Sequence, residues 1–345
     1  MRSRRLLAGL STAAAALLLA ACGGSDGEAT QAAAAATPSA SVQFPLQITH
    51  ALGTTTVPAR PERIATVNWA NHEVPLALGV VPVGMAAANF GDDDGDGLLP
   101  WVDEKLDELG GQRPVLFDET DGIDFEAVAD TDPDLILSAY SGLTQEDYDT
   151  LSQIAPVVAY PEAPWATEWR DMISISSQAM GLADEGEQLV TDLERQIADT
   201  AAARPELKGK RTMFLTHVDT TNLSEVSFYT SHDTRAKFFS DLGLATPPSV
   251  QTASAGTDKF SLKQSAEQVD AFNDVDIIVT YGGQELATAL KADPLLSKMP
   301  AVTKDAVVLL PQSPLGTAAN PTPLSISWVL EDYVDMLAQA AAKTS

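Results

Sequence analysis

Asp134-Leu135-Ile136-Leu137-Ser138-Ala139-Tyr140-Ser141-Gly142 is a short apolar run that opens on an acid and closes on a tyrosine among small residues. Asp276-Ile277-Ile278-Val279-Thr280-Tyr281-Gly282-Gly283 repeats that order of residue types in the second half of the chain. An acid early in a short helical stretch precedes each run: Glu126, which leads on through Pro133, and Glu267. An apolar run without alternation is the pattern of a strand buried on both faces, as in a parallel sheet. Ligands of open α/β sheets sit at the carboxyl ends of the strands. Two such units facing each other place Tyr140 and Tyr281 at the mouth of one shared cleft. Two unrelated βα units would look the same over so short a span, and that alternative stays open here.

The texture on either side supports the duplication. Short β-rich runs at residues 64–67, 80–83, 135–137 and 157–159 alternate with helical stretches at 73–78 and 146–154. A second set follows, with strands expected at 212–215, 277–280 and 307–310 and helices at 234–242 and 265–272. Alternation of this kind predicts βαβ units and mainly parallel sheets. Between the sets, Leu189, Leu193 and Ile197 recur at helical spacing while Glu187, Asp192, Glu194 and Asp199 occupy other faces, and Pro205 stops the run. The fold class is therefore α/β: two Rossmann-like lobes, residues 46–183 and 205–345, joined by a single long helix at 184–204. The second lobe ends in an amphipathic helix whose apolar side carries Trp328, Leu330, Val334 and Leu337.

The amino terminus sets the address. Arg2, Arg4 and Arg5 precede an apolar run that ends in Leu19-Ala20-Ala21-Cys22, the layout of a secretory signal peptide over residues 1–21. The terminal tetrapeptide resembles the lipobox of bacterial lipoproteins, with Cys22 the lipidated residue; an ordinary secreted protein with a stray thiol is the plain alternative. The run is short for a permanent span, which needs about twenty residues. Sec and twin-arginine export both remain open. Residues 22–45, rich in Ala, Gly, Ser and Thr, form a flexible tether. Cys22 is the only cysteine, so no intramolecular disulfide is possible. Formal charge is -27, and losing Arg2, Arg4 and Arg5 with no acid makes the mature chain -30. A surface so acidic repels nucleic acid and anionic lipid and excludes polyanionic partners.

No catalytic constellation is present. His50, His72, His217 and His232 have no zinc-ligand spacing, and GxSxG, P-loop and GxGxxG motifs are missing. His217 ends a strand and is read as a surface or hydrogen-bonded histidine, with pocket lining the alternative. In Gly91-Asp92-Asp93-Asp94-Gly95-Asp96-Gly97, Asp92, Asp94, Asp96 and Asp103 fall at positions 1, 3, 5 and 12 of a calcium loop. Pro100 interrupts that loop and a strand precedes it, so an acidic turn without metal is the reading taken. Neither catalytic residues nor protein ligands to a metal are assigned.

Further motifs carry a family resemblance. They are Pro61-Glu62-Arg63-Ile64, Leu76-Ala77-Leu78-Gly79-Val80-Val81-Pro82-Val83-Gly84, Asp132-Pro133-Asp134-Leu135-Ile136, Tyr148 through Val158, Pro164-Trp165 through Trp169-Arg170, Asp293-Pro294-Leu295-Leu296 and Pro321-Thr322-Pro323-Leu324-Ser325-Ile326. In this order they resemble the solute-binding lipoproteins of iron-siderophore ABC importers, over about residues 46–340.

The resemblance implies capture of a ferric siderophore by a monomer, lipid-anchored outside the cytoplasmic membrane, that docks on a permease dimer with its ATPase. It implies permease docking through one exposed glutamate per lobe, Glu126 and Glu267 by motif; both would also favour helix amino termini electrostatically. Iron would be held entirely by the siderophore's oxygens, so no protein cofactor is expected. Aromatic rings and an arginine then suit the cleft. The candidates are Trp69, Trp101, Tyr140, Trp165, Trp169, Tyr229 and Tyr281, with Arg170 and Arg235, each aromatic having core packing as its alternative. Basic residues near strand ends are few (Arg170, Arg235, and Lys259 or Lys263), which favours a neutral or cationic hydroxamate over an anionic tricatecholate. Haem and cobalamin carriers share the broad family, and an exported enzyme acting on a small ligand is the rival from another class.

Overall fold

The run that opens at Asp134 is a strand of a five-stranded parallel sheet in the computed structural model, which describes residues 42–344. The expected signal peptide, Cys22 and most of the tether lie outside the described residues. The first half supplies β1 (Leu46–His50) and β2 (Gly53–Val57), an antiparallel hairpin. It continues with β3 (Ile64–Thr66), β4 (Gly84–Ala86), β5 (Val115–Phe117), β6 (Leu135–Ser138) and β7 (Val157–Ala159). These five pair in parallel in the order β5-β4-β3-β6-β7. The second half supplies β8 (Thr212–Phe214), the antiparallel pair β9 (Glu225–Tyr229) and β10 (Ser261–Ser265), then β11 (Ile277–Tyr281) and β12 (Val307–Leu310). Its parallel sheet runs β12-β11-β8, and Ala245 bridges Arg211 in parallel on the free side of β8.

Chain order therefore reverses twice, between β3 and β6 in one sheet and between β8 and β11 in the other. At such a point the connections leave in opposite directions and open a crevice above the strand ends. Leu135, Ile136 and Leu137 are wholly buried, as a strand covered on both faces requires, and burying each side chain contributes about 1.5–3 kcal/mol. The repeated acids share one task. Asp134 accepts the Glu62 and Arg63 N–H groups at 2.8 and 2.9 Å, and Asp276 accepts the Arg211 N–H and grips its guanidinium, each at 3.0 Å. Each acid thus pins the start of the neighbouring strand.

One expected strand is misplaced by the sequence reading. Residues 80–83 precede the ladder, which β4 forms. The Val80 N–H closes the preceding helix onto Pro75 O at 2.8 Å and Pro82 has no donor, so pairing starts with Val83 N–H to Ile64 O. The β1/β2 hairpin, the antiparallel pair β9/β10 and β5 carry no run that the sequence had suggested.

The connecting helix spans Ala183–Ala202, with Leu193 and Ile197 buried as their spacing requires, against helix Trp169–Met180 on one side and Pro323–Ala342 on the other. It is not the sole brace. The terminal helix Pro323–Ala342, expected within the second lobe, also packs on Glu73–Ala77 and Pro100–Leu109 of the first half. Its amino end rests on the buried Glu73 carboxylate, which accepts Leu324 N–H at 2.9 Å, Ser325 N–H at 3.3 Å and the Trp101 indole N–H at 2.8 Å. One hydrophobic core runs from Ile48 and Leu135 through to Leu310 and Tyr333, so the described residues form a single unit of contacts. Among them no helix is long and apolar enough to cross a membrane.

His72, beside Glu73, is buried, its Nδ1 has no hydrogen-bond partner, and burial lowers its pKa to about 4. The unfolded chain takes this proton near the ordinary value of 6.5 while the folded chain refuses it. The stabilisation is complete above that value and is lost as pH falls from 6.5 towards 4, by about 3 kcal/mol in all. Urea titrations at pH 7 and pH 4.5 should show His72→Gln losing about 2.4 kcal/mol less than the parent chain between the two; equal losses would exclude this role.

Candidate functional site

Both crevices open onto one cavity of about 250 Å3. From the first half, Trp69 follows β3, Asn89 and Phe90 follow β4, Tyr140 follows β6 and Trp165 follows β7. From the second, His217 follows β8, Tyr281 ends β11, and Thr317 and Asn320 follow β12; Arg235 opens the helix Thr234–Asp241 and Phe260 leads into β10.

The first wall is built by polar side chains that never reach the cavity. Asn71, buried beneath it, accepts the Tyr140 N–H at 2.9 Å and donates to the carbonyls of Val67, Trp69 and Tyr140 at 2.8, 3.2 and 2.9 Å. One amide thereby ties Trp69 to Tyr140 across the reversal. Asn68 and Ala70, on either side of Trp69, hold left-handed φ angles of 61° and 62°, each at a cost of order 1 kcal/mol or more. The Glu119 carboxylate secures Asn68, accepting its N–H and its Nδ2 at 3.0 Å. Trp165 meets Tyr140 edge to face at 5.4 Å, and a Cβ at Gly142 would lie 2.4 Å from its indole nitrogen, so that approach needs glycine.

Phe90 crosses to the other wall. Its ring meets His217 and Tyr281 edge to face, at 5.6 and 6.0 Å, and His217 stacks on Tyr281 at 4.5 Å. Gly91, with φ 82°, passes so close to Thr317 that a Cβ would stand 1.9 Å from its hydroxyl. The aspartate-rich turn behind Phe90 is satisfied by its own backbone: Asp92 accepts the Gly95 and Gly97 N–H groups at 2.7 and 2.8 Å, and Asp96 accepts Leu98 N–H at 2.8 Å. Asp92, Asp94 and Asp96 stand together, but Asp103 lies in the helix Pro100–Leu109 and pairs with Arg113.

The cavity's one cation is held from below. Arg235 forks onto the buried Asp233, Nε to Oδ1 at 2.8 Å and Nη2 to Oδ2 at 2.7 Å, with its guanidinium 3.7 Å over the Tyr229 ring. Asp233 also caps the helix by accepting the Arg235 N–H at 2.9 Å. Burial raises the Tyr140 and Tyr281 hydroxyls above the ordinary range against the opposing charge of Arg235, so both stay neutral donors. Desolvation and then Arg235 lower the His217 imidazole, which is neutral near pH 7. These groups can hydrogen-bond and stack on a bulky ligand of little net charge.

Five of the residues named from sequence meet here: Trp69, Tyr140, Trp165, Arg235 and Tyr281. Four do not line the cavity. Trp101 is in the core, bonded to Glu73 and packed 5.1 Å from Trp328. Trp169 and Arg170 open a helix facing away, where both bond Asp241 and Arg170 also bonds Glu194, bracing the two halves. Tyr229 lies under Arg235 as support. Lys263 pairs with Glu225 outside the cavity. Asn89, Phe90, Phe260, Thr317 and Asn320 were missed, although the strand-end rule points to the segments after β4 and β12; His217 is exposed, as read, and also lines the cavity, the alternative given for it. Glu126 and Glu267 are exposed, in the first turns of Phe125–Asp130 and Ala266–Phe272, each leading into β6 or β11.

A family model described as periplasmic binding protein matches residues 64–314. The crystal structure of Streptococcus pneumoniae PiaA in complex with ferrichrome superposes with a TM-score of 0.83 at 44% identity, over 87% of this chain and 99% of that one. The ferric enterobactin-binding periplasmic protein FepB of Escherichia coli is 27% identical over 281 residues, 78% of this chain and 85% of its own. The probable siderophore-binding lipoprotein YfiY of Bacillus subtilis is 33% identical over 154 residues, so the chain spans under half of that protein, 43%.

Removing the Glu119 clamp should free the strained turn that aims Trp69. Glu119→Ala is expected to raise amide hydrogen exchange across residues 67–71 about tenfold, the equivalent of about 1.4 kcal/mol; unchanged protection there would exclude the clamp.

Proposed function

The chain belongs to the periplasmic binding protein family, and on that premise we propose that it is the extracytoplasmic receptor of an ABC importer, capturing a ferric siderophore, a neutral hydroxamate chelate by preference, for delivery to a membrane permease. One observation carries the ligand class: among the described residues lining the cavity, Arg235 is the only charged group, and it stands among six aromatic rings with its charge matched beneath. A ferric ion is a hard cation that takes oxygen ligands. Three hydroxamates supply six oxygens and leave the chelate neutral, so nothing in the wall need coordinate metal. The rings of Trp69, Phe90, Trp165 and Tyr281 provide apolar contact at small entropic cost, and Arg235, Tyr140 and Asn320 provide donors to the chelate's carbonyl oxygens. The ferrichrome complex of the S. pneumoniae relative, similar over 87% of the chain, supports the same reading.

Function as a receptor rather than an enzyme rests on the relatives, which are named as binding proteins. Release to the permease follows from Glu126 and Glu267, one on each half, exposed and offered to cations on the two permease subunits; such pairs orient and steer more than they tighten. Cys22 would carry the lipid that keeps the receptor, as a monomer, at the outer face of the membrane.

Titration of the purified mature chain with ferrichrome, ferric enterobactin, haem and cobalamin, following tryptophan fluorescence, tests the ligand. Quenching at micromolar or lower concentration by ferrichrome is expected; a response to haem or cobalamin alone, or to none, overturns the reading. For docking, Glu126→Lys/Glu267→Lys should reduce import of the labelled chelate at least about tenfold while binding by the isolated protein stays as it was. Import at the parental rate would remove both glutamates from that role.

A further inference from the structure

Resting on the ferric-siderophore reading of the cavity, we propose that Asp233, which does not line it, selects neutral chelates over anionic ones by cancelling the charge of Arg235. Asp233 is wholly buried and spends both oxygens on Arg235, one on Nε and on the backbone N–H, the other on Nη2. The guanidinium is fixed further by the Tyr229 ring at 3.7 Å. Two of its donor positions are consumed by the carboxylate, the Tyr281 hydroxyl engages the guanidinium as well, and Arg235 lines the cavity with what remains. The cavity therefore receives the directional donors of an arginine without its net positive charge.

Three of the neighbouring cations are matched as well, while Lys259, exposed just before the lining Phe260, is not itself part of the wall. Arg170 is held by Asp241 and Glu194, Lys237 by Glu168 and Lys263 by Glu225. A ferric tricatecholate carries three negative charges that three hydroxamates do not. Entering this cavity it gives up water and finds donors but no uncompensated cation among the lining residues, a transfer that is strongly unfavourable for an ion and nearly neutral for an uncharged chelate. Selectivity thus sits one residue behind the wall, in a carboxylate rather than in a contact.

Asparagine caps a helix as well as aspartate does, so D233N keeps the local structure and leaves Arg235 with an uncompensated charge. The mature chain, D233N, R235Q and D233N/R235Q are titrated by fluorescence with ferrichrome and with ferric enterobactin, at low salt and in molar salt. The parent chain should prefer the neutral chelate. In D233N the affinity ratio should move towards the trianion by at least about tenfold at low salt, less at high salt. In R235Q, where the carboxylate is left alone, the ratio should move the other way, and D233N/R235Q should return it to the parental value although both ligands bind more weakly. Should D233N fail to fold, R235Q and D233N/R235Q decide the matter by the same ratio. A ratio constant within about twofold across the variants overturns this inference and leaves the siderophore reading standing. A parent chain that binds neither chelate, or prefers the trianion, overturns both.

Discussion

A parallel sheet whose chain order reverses at an inner strand cannot cover its own carboxyl edge there, because the crossing connections diverge. This chain makes that reversal in each half. The uncovered edges at β3/β6 and at β8/β11 carry Trp69, Tyr140, His217 and Tyr281, and they close on each other to form the cavity. The matched aspartates, Asp134 and Asp276, set the register on which both reversals depend, by fixing where each first strand begins. The site is thus a consequence of topology, filled in by side chains.

What holds the halves in place is a small number of shared carboxylates. Glu73 seats the terminal helix of the second half on the first, and Asp241 receives Trp169 and Arg170 from across the boundary. The buried Glu73 would be costly to leave unpaired, and it takes two backbone donors from the other half and the Trp101 indole from its own; the half-buried Asp241 takes both of its partners from across the boundary. Among the described residues, two helices and a continuous core span both sheets, a brace that opposes a wide hinge. Phe90 is half-buried at the cavity, and His217 and Phe260 are exposed at its rim.

The electrostatics of the whole chain and of the cavity are separate matters. A chain of charge -27 has acids to spare on its surface, yet the wall of the cavity is nearly uncharged because its single guanidinium is answered from within the core. Net charge describes solubility and approach; the pairing of one buried acid decides what the cavity tolerates.

Much of this was legible in the residues. Uninterrupted apolar runs announced buried parallel strands, the repeated Asp-strand-Tyr order announced two halves, and the spacing of Leu189, Leu193 and Ile197 announced the helix between them. Five of the residues named from strand ends, wall loops and the family resemblance line the cavity. The failures have one physical cause. Trp101, Trp169, Arg170 and Tyr229 have the residue types of a binding site, but whether an indole or a guanidinium faces ligand or core is decided by the partner opposite it. Those partners, Glu73, Asp241 and Arg235, lie 28, 72 and 6 residues away for Trp101, Trp169 and Tyr229. Phe90 and Thr317 were invisible for the same reason, since a close approach across more than two hundred residues leaves no local pattern. Local patterning thus determined β3, β6, β7, β8, β11 and β12, their burial and the duplicated plan, because those depend on neighbours in the chain. Only the tertiary structure decided which rings meet a ligand and which cation keeps its charge, because those depend on who stands opposite in space.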